Sequence, residues 1–205
     1  MKLMIISGSP RMGSQSGKLA HLIAKRLSKR RKEVTCAVLD LAEPILPELT
    51  DDVFKSPPTP GSPWYSTLGD LSDADGFVVI TPEFHGMVPP GLKTLFMLSG
   101  EGPFCDKPAL PVGVSDGMGG VWPIAELRVS SFRGNRVCWI PDDVVVRRVS
   151  DVNAATERAF TEPSQKFPAI WARLDASCDL LIGYTRALSE ARKGGAIQRK
   201  HKEAA

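Results

Sequence analysis

The chain has 205 residues, of which 42% are hydrophobic and 24% charged, a balance that suits one substantial folded core better than two small domains. No apolar run approaches the roughly 20 residues of a membrane-crossing helix, and the amino terminus lacks the basic, apolar, small-residue layout of a secretory signal, so a cytoplasmic protein with no membrane partner is expected. The net charge of +3 is not a nucleic-acid footprint: Arg192, Lys193, Arg199, Lys200 and Lys202 against Glu203 give a local +4, which leaves −1 on the remaining chain.

Leu3-Met4-Ile5-Ile6 predicts a first strand, followed by the loop Ser7-Gly8-Ser9-Pro10-Arg11-Met12-Gly13-Ser14-Gln15-Ser16. Leu19, Leu22, Ile23 and Leu27 then fall at helical spacing, and the basic run over residues 25–32 reads as the solvated face and end of that helix. A second strand is expected over residues 34–41. Residues 42–63 contain six prolines and little periodicity, which predicts a long surface connection. A short helix over 64–71 leads to Gly76-Phe77-Val78-Val79-Ile80-Thr81, an unbroken apolar run suited to a strand covered on both faces. A helix over 92–98 precedes a fourth strand over 110–115, weakened by Pro111. Another helix over 125–132 precedes a fifth strand over 137–140, with Val144-Val145-Val146 a candidate extension. The last helix, from about Ser164 to Arg192, carries the stripe Ile170, Trp171, Leu174, Cys178, Leu181, Ile182, Thr185 and Leu188. Residues 141–163 suggest no role. Residues 1–192 are therefore read as one α/β domain and 193–205 as a basic, disordered tail.

The four cysteines are scattered without a C-x-x-C pair, and the three histidines have no ligand spacing, so no metal site is expected. The first loop carries more information. A strand running into a helix leaves about four backbone N–H groups unpaired at the helix start, beside the positive end of its dipole. Ser9, Ser14 and Ser16 add hydroxyls, Gln15 an amide and Arg11 a forked cation. Gly8 and Gly13 have the spacing of a nucleoside-triphosphate loop, but Ser14 and Gln15 replace its lysine and hydroxyl residue; the dinucleotide G-x-G-x-x-G fails at Pro10. A cradle for a terminal phosphomonoester remains, beside the plainer reading of a strand-to-helix turn capped by Ser14.

Strands alternating with helices predict a parallel sheet covered on both faces, with ligands bound beyond the carboxyl ends of its strands. Those ends are followed by the first loop, by Thr81-Pro82-Glu83-Phe84-His85-Gly86, and by Ser115-Asp116-Gly117-Met118-Gly119-Gly120. With Leu19-Ala20 and Pro90-Gly91-Leu92-Lys93, and in this order and spacing over about residues 2–140, these motifs resemble the flavodoxin-like NAD(P)H-dependent FMN reductases, a family that includes quinone and azo-dye reductases.

The resemblance implies a three-layer sandwich around a five-stranded parallel sheet of order 2-1-3-4-5. It implies that Ser9, Arg11, Ser14, Gln15 and Ser16 hold the FMN phosphate, that Pro82, Glu83, Phe84, His85 and Gly86 line the isoalloxazine ring, and that Ser115, Gly117, Met118, Gly119 and Gly120 close on its pyrimidine end. It further implies a ping-pong exchange, with NADPH or NADH as donor, a small acceptor such as a quinone, azo compound or free flavin, no catalytic side chain, and a homodimer or homotetramer. The family usually has tyrosine and asparagine where this chain has Phe84 and His85, and asparagine and an acidic residue where it has Thr94 and Met97. A non-enzymatic flavodoxin-like electron carrier and a binding module that has lost flavin are the alternatives; the near-neutral charge of residues 1–191 disfavours the carrier, since such carriers dock through acidic surfaces.

Overall fold

The computed structural model describes residues 1–159 and 167–197. Six strands form one parallel sheet: β1 (Lys2–Ser7), β2 (Thr35–Asp40), β3 (Gly76–Pro82), β4 (Pro108–Ser115), β5 (Cys138–Trp139) and β6 (Val144–Arg147). The order is β2-β1-β3-β4-β5, with β6 also paired to β4. The expected 2-1-3-4-5 arrangement is therefore present, its fifth position divided between two short strands on one edge of β4. Pro111 explains the division. Ala109 accepts from Ile140 on that edge, whereas Val114 accepts from Glu83 on the β3 side, so alternation turns the position of Pro111 toward the β5/β6 edge. The missing N–H falls in the gap between the two segments, where no partner strand is there to receive it.

Alternating side chains of the sheet feed two cores. Leu3, Ile5, Val78, Ile80, Leu110 and Val112 pack beneath α1 (Gln15–Arg30), α6 (Val149–Ala159) and α7 (Pro168–Lys193). Met4, Ile6, Phe77, Val79 and Ala109 face the layer containing α3 (Pro63–Asp73), α4 (Pro90–Ser99) and α5 (Trp122–Ser130). In that second core Phe104 lies with ring centroids 4.5 Å from Phe77 and 5.0 Å from Phe96, contacts worth about 0.5–1.5 kcal/mol each beyond burial. On the opposite face, Arg26 clamps Asp175 with two hydrogen bonds of 2.8 and 2.6 Å, and Arg30 and Arg31 both reach Asp179. The basic run thus partners the acidic side of α7.

Two helices go beyond the expected set. α2 (Asp51–Lys55) interrupts the proline-rich connection, and α6 occupies the segment to which no role was assigned. α7 starts at Pro168; the proposed start at Ser164 lies outside the described residues. After Lys193 the chain turns back on the helix, Gly194 donating to the Glu190 carbonyl at 2.8 Å, and the tail from residue 198 onward lies outside the described residues. Among the described residues no helix is long and apolar enough to cross a membrane.

Candidate functional site

The carboxyl ends of β1, β3 and β4 open into one cleft of about 560 Å³, within the range of roughly 300–1,000 Å³ common to small-molecule sites. Its first wall is the loop into α1. Gly8 donates to the Ile80 carbonyl at 2.8 Å, and a Cβ there would stand 2.9 Å from both that oxygen and the Leu92 side chain, so only glycine lets β1 leave the sheet at this point. Ser14 caps α1: its Oγ accepts from Gly17 N at 3.0 Å. This leaves the hydroxyl hydrogen free to donate, and the N–H groups of Gln15 and Ser16 precede the helix ladder. Ser9 and Ser16 are almost wholly buried, with Ser9 Oγ accepting from Arg11 N. The Arg11 guanidinium lies 5.0 Å over the centre of the Phe84 ring, so it reaches from the first loop to the second.

The second wall turns tightly. Phe84 and Met87 exchange backbone hydrogen bonds of 3.1 and 2.9 Å around His85 and Gly86, whose φ values are +51° and +81°. Two successive positive φ angles make a type I′ hairpin turn, for which asparagine followed by glycine is the best pair. Histidine is among the few other side chains enriched in that backbone region, so His85 satisfies the turn in asparagine's place. His85 is exposed.

The third wall is tied to the others by side chains. Glu83 accepts from Gly120 N at 2.5 Å, and its carboxylate packs where a Cβ on Gly119 would stand. Ser115 Oγ accepts from Gly117 N, and Arg147 Nε donates to the Met118 carbonyl at 2.7 Å. Asp116 accepts from both the N–H and the hydroxyl of Ser150, at 3.0 and 2.8 Å, at the start of α6. From the same helix Asn153 donates to the main-chain and side-chain oxygens of Gln15, each at 2.9 Å.

Of the expected site residues, Ser9, Arg11, Ser14, Gln15, Ser16, Pro82, Glu83, Phe84 and Ser115 line the cleft together. His85, Gly86, Gly117, Met118, Gly119 and Gly120 lie outside that lining. Met12, Gly13, Val114, Asp116, Val149 and Ser150 also line it, the last two from α6. The series Val149, Val152, Thr156 is the sequence signal by which this helix could have been found. A larger groove of about 660 Å³ runs between the proline-rich connection and α4, but its walls are mainly proline and apolar side chains such as Leu46, Phe54 and Met97. It lacks the converging donors of the cleft. Among the described residues no cluster of three histidine, cysteine or carboxylate side chains could hold a metal ion.

A parallel sheet in this order, with an anion cradle after its first strand, defines a flavodoxin-like protein. The donors of the first loop suit a phosphomonoester and the Phe84 ring suits a planar neighbour, so the residues of the cleft are compatible with FMN. The NADPH-dependent FMN reductase model matches residues 1–150, and the chain belongs to that family. It is an oxidoreductase using FMN with NAD(P)H as electron donor. No curated protein matches it by sequence. Its fold is similar to that of an NADH:FMN oxidoreductase (EMOB) in the apo form, with TM-score 0.63 and 15% identity over 91% of this chain and 89% of that one. It is also similar to FerB, a flavoenzyme NAD(P)H:(acceptor) oxidoreductase from Paracoccus denitrificans, with TM-score 0.62 and 18% identity over 89% and 98% of the two chains. An azoreductase from Bacillus anthracis str. Sterne superposes with TM-score 0.53 and 19% identity over 88% and 98%.

Proposed function

We propose that FMN binds in this cleft with its phosphate on Ser9, Arg11, Ser14, Gln15 and Ser16 and its ring against the loop from Pro82 to Gly86. The loop from Ser115 to Gly120 lies at the pyrimidine end, and electrons from NAD(P)H pass to a small planar acceptor such as a quinone, azo compound or free flavin. The observation that carries this reading is the convergence of hydroxyl, amide and guanidinium donors with the aromatic face of Phe84 in a single cleft.

Bound FMN supplies the hydride chemistry, so the chain's own contribution is position, charge compensation and water exclusion. Arg11 makes no ion pair among the described residues, and its charge is available to an anion. The first N–H groups of α1 favour the same anion through the helix dipole. Phe84 supplies an aromatic ring that packs against the Arg11 guanidinium, and the Glu83 bond to Gly120 N fixes the third loop against the second. No side chain is assigned a proton-transfer role.

Exposed Met87, Met97, Val129 and Phe132 on and beside α4 and α5 support association of two or more copies through this face. Four free cysteines accord with a reducing cytoplasm.

The purified protein should be yellow, or its apo form should quench FMN fluorescence on titration, and it should oxidise NADPH or NADH steadily when a quinone or azo dye is supplied. A colourless preparation that leaves FMN fluorescence unchanged would overturn the reading. Binding without steady turnover would reduce it to an electron carrier.

A further inference from the structure

We propose that Asn153 is a positioning residue of the phosphate cradle: it holds the side-chain oxygen of Gln15 and so presents the Gln15 –NH₂ group to a bound phosphate. The proposal rests on the reading of the first loop as the FMN phosphate site.

An amide side chain is ambivalent toward an anion. Its nitrogen end donates, its oxygen end repels, and rotation by half a turn exchanges them. Gln15 is the first residue of α1 and one of the residues lining the cleft, and it would be of little use there if its amide sampled both orientations. Asn153 removes the choice. Its Nδ2 can only donate, and it lies 2.9 Å from Gln15 Oε1, so the Gln15 nitrogen is directed away from Asn153. The same Nδ2 also bonds the Gln15 main-chain oxygen at 2.9 Å, which fixes the donor relative to the helix start.

Burial shows that this contact is specific. Asn153 is 1% exposed, and its own Oδ1 has no hydrogen-bond partner. An unpaired buried acceptor is costly, and a residue serving only to fill space at this point would be better apolar. The side chain is therefore retained for what its nitrogen donates. Its helix is anchored independently: Val149 and Val152 are buried in the core beneath the sheet, and Ser150, three residues before Asn153 and so on a neighbouring face, holds Asp116 of the third loop. One turn of α6 thus links the phosphate end of the cleft to its third wall.

The experiment compares FMN with riboflavin, which has the same ring system and no phosphate, by fluorescence titration of the apoprotein, with thermal unfolding recorded for each variant. The wild type is expected to prefer FMN strongly. Asn153→Ala should lower that preference by about tenfold or more, the scale of one hydrogen bond to a charged group, with riboflavin affinity unchanged. Asn153→Asp should lower it further, because a carboxylate would accept from the Gln15 nitrogen and turn its oxygen toward the phosphate. If Asn153→Asp fails to fold, Asn153→Ala in a Gln15→Ala background decides the matter: with the donor already gone, the second substitution should change the preference no further. Equal weakening of FMN and riboflavin in step with lost thermal stability would overturn the proposal in favour of a purely structural role. Unchanged preference in Asn153→Ala, or an additive effect in the double variant, would also overturn it while leaving the phosphate site intact. A wild type that binds FMN and riboflavin equally would overturn the phosphate reading and this proposal together.

Discussion

Under the proposed phosphate site Ser14 has two duties, and substitutions separate them. Its Oγ accepts from Gly17 N at 3.0 Å with φ −61° and ψ 156°, the geometry of an N-cap, and this uses only a lone pair of the hydroxyl. The hydrogen is left for the phosphate oxygen that the proposed site would place there. Ser14→Ala removes both. Losing the cap costs about 1 kcal/mol, which lowers the melting temperature of a domain this size by about 2–4 °C. Losing a hydrogen bond to a charged phosphate costs about 1.5–3 kcal/mol, or roughly a 10- to 150-fold loss of FMN affinity. Ser14→Asp restores the cap, since aspartate serves there as well as serine and suits the positive end of the helix, but it places a negative charge against the phosphate. Thermal unfolding of the apoprotein should therefore rank aspartate equal to or above serine, with alanine below. FMN titration should rank serine first, then alanine, then aspartate. The aspartate result reports how near position 14 lies to the phosphate and the alanine result reports the hydroxyl itself; an alanine variant that binds FMN like the wild type would refute the hydroxyl's phosphate role and leave a plain helix cap.

Gly113→Ala should disable the third wall, because a Cβ at Gly113 would lie 1.8 Å from the Gly120 carbonyl oxygen, a backbone atom that no rotamer change can move. A loss of about 1–3 kcal/mol in a urea titration is expected, together with weaker FMN binding, and an unchanged unfolding midpoint would contradict the packing of these two glycines. Alkaline stability should reflect two opposed groups. Burial, reinforced by Asp175, pushes the Cys178 thiol from 9.0 up to about 12, so above pH 9 the unfolded chain binds fewer protons than the folded one and stability falls toward pH 12. Burial, reinforced by Arg192, lowers Lys107 from 10.5 to about 8, so between pH 8 and 10.5 the unfolded chain binds more protons and this group makes stability rise. Urea midpoints from pH 8 to 11 should accordingly fall less steeply above pH 9 in Cys178→Ala than in the wild type, and Lys107→Met should lose the rise; parallel curves for all three proteins would refute the assignment.

The fold was legible wherever burial imposed a period. β1, β3 and β4 are covered on both faces and therefore appear as apolar runs, and the long stripe of α7 is visible for the same reason. Helix starts were less legible, because a first turn needs a suitable backbone and not an apolar side chain. α4 begins at Pro90 and α5 at Trp122 with Pro123 next, two to three residues before the periodic positions at Leu92 and Ala125. α2 buries none of its five residues and so leaves no pattern to find. α6 does have one, but it is short and is interrupted by a buried asparagine whose value lies in a distant partner.

That distance explains what was legible in the candidate site. Motifs identify which residues stand near the carboxyl edge, since a parallel sheet brings its loops there whatever their detail. They do not identify the bonds that hold those loops in place. Glu83 reaches Gly120 across 37 residues, Ser150 reaches Asp116 across 34, and Asn153 reaches Gln15 across 138, and no local pattern marks any of the three. Gly8 and Gly13 have the spacing of a nucleoside-triphosphate loop without its lysine, and Gly8 has a separate reason to be glycine in the approach of Ile80 and Leu92. His85 appeared as a departure from the family pattern, whereas its backbone keeps the turn that asparagine would make. A motif departure therefore has to be judged by the constraint acting at that position. At 85 the constraint is a left-handed backbone that histidine can adopt, and the turn survives the change of side chain. At 113 it is backbone contact with Gly120, and no side chain of any kind can be accommodated without displacing the wall.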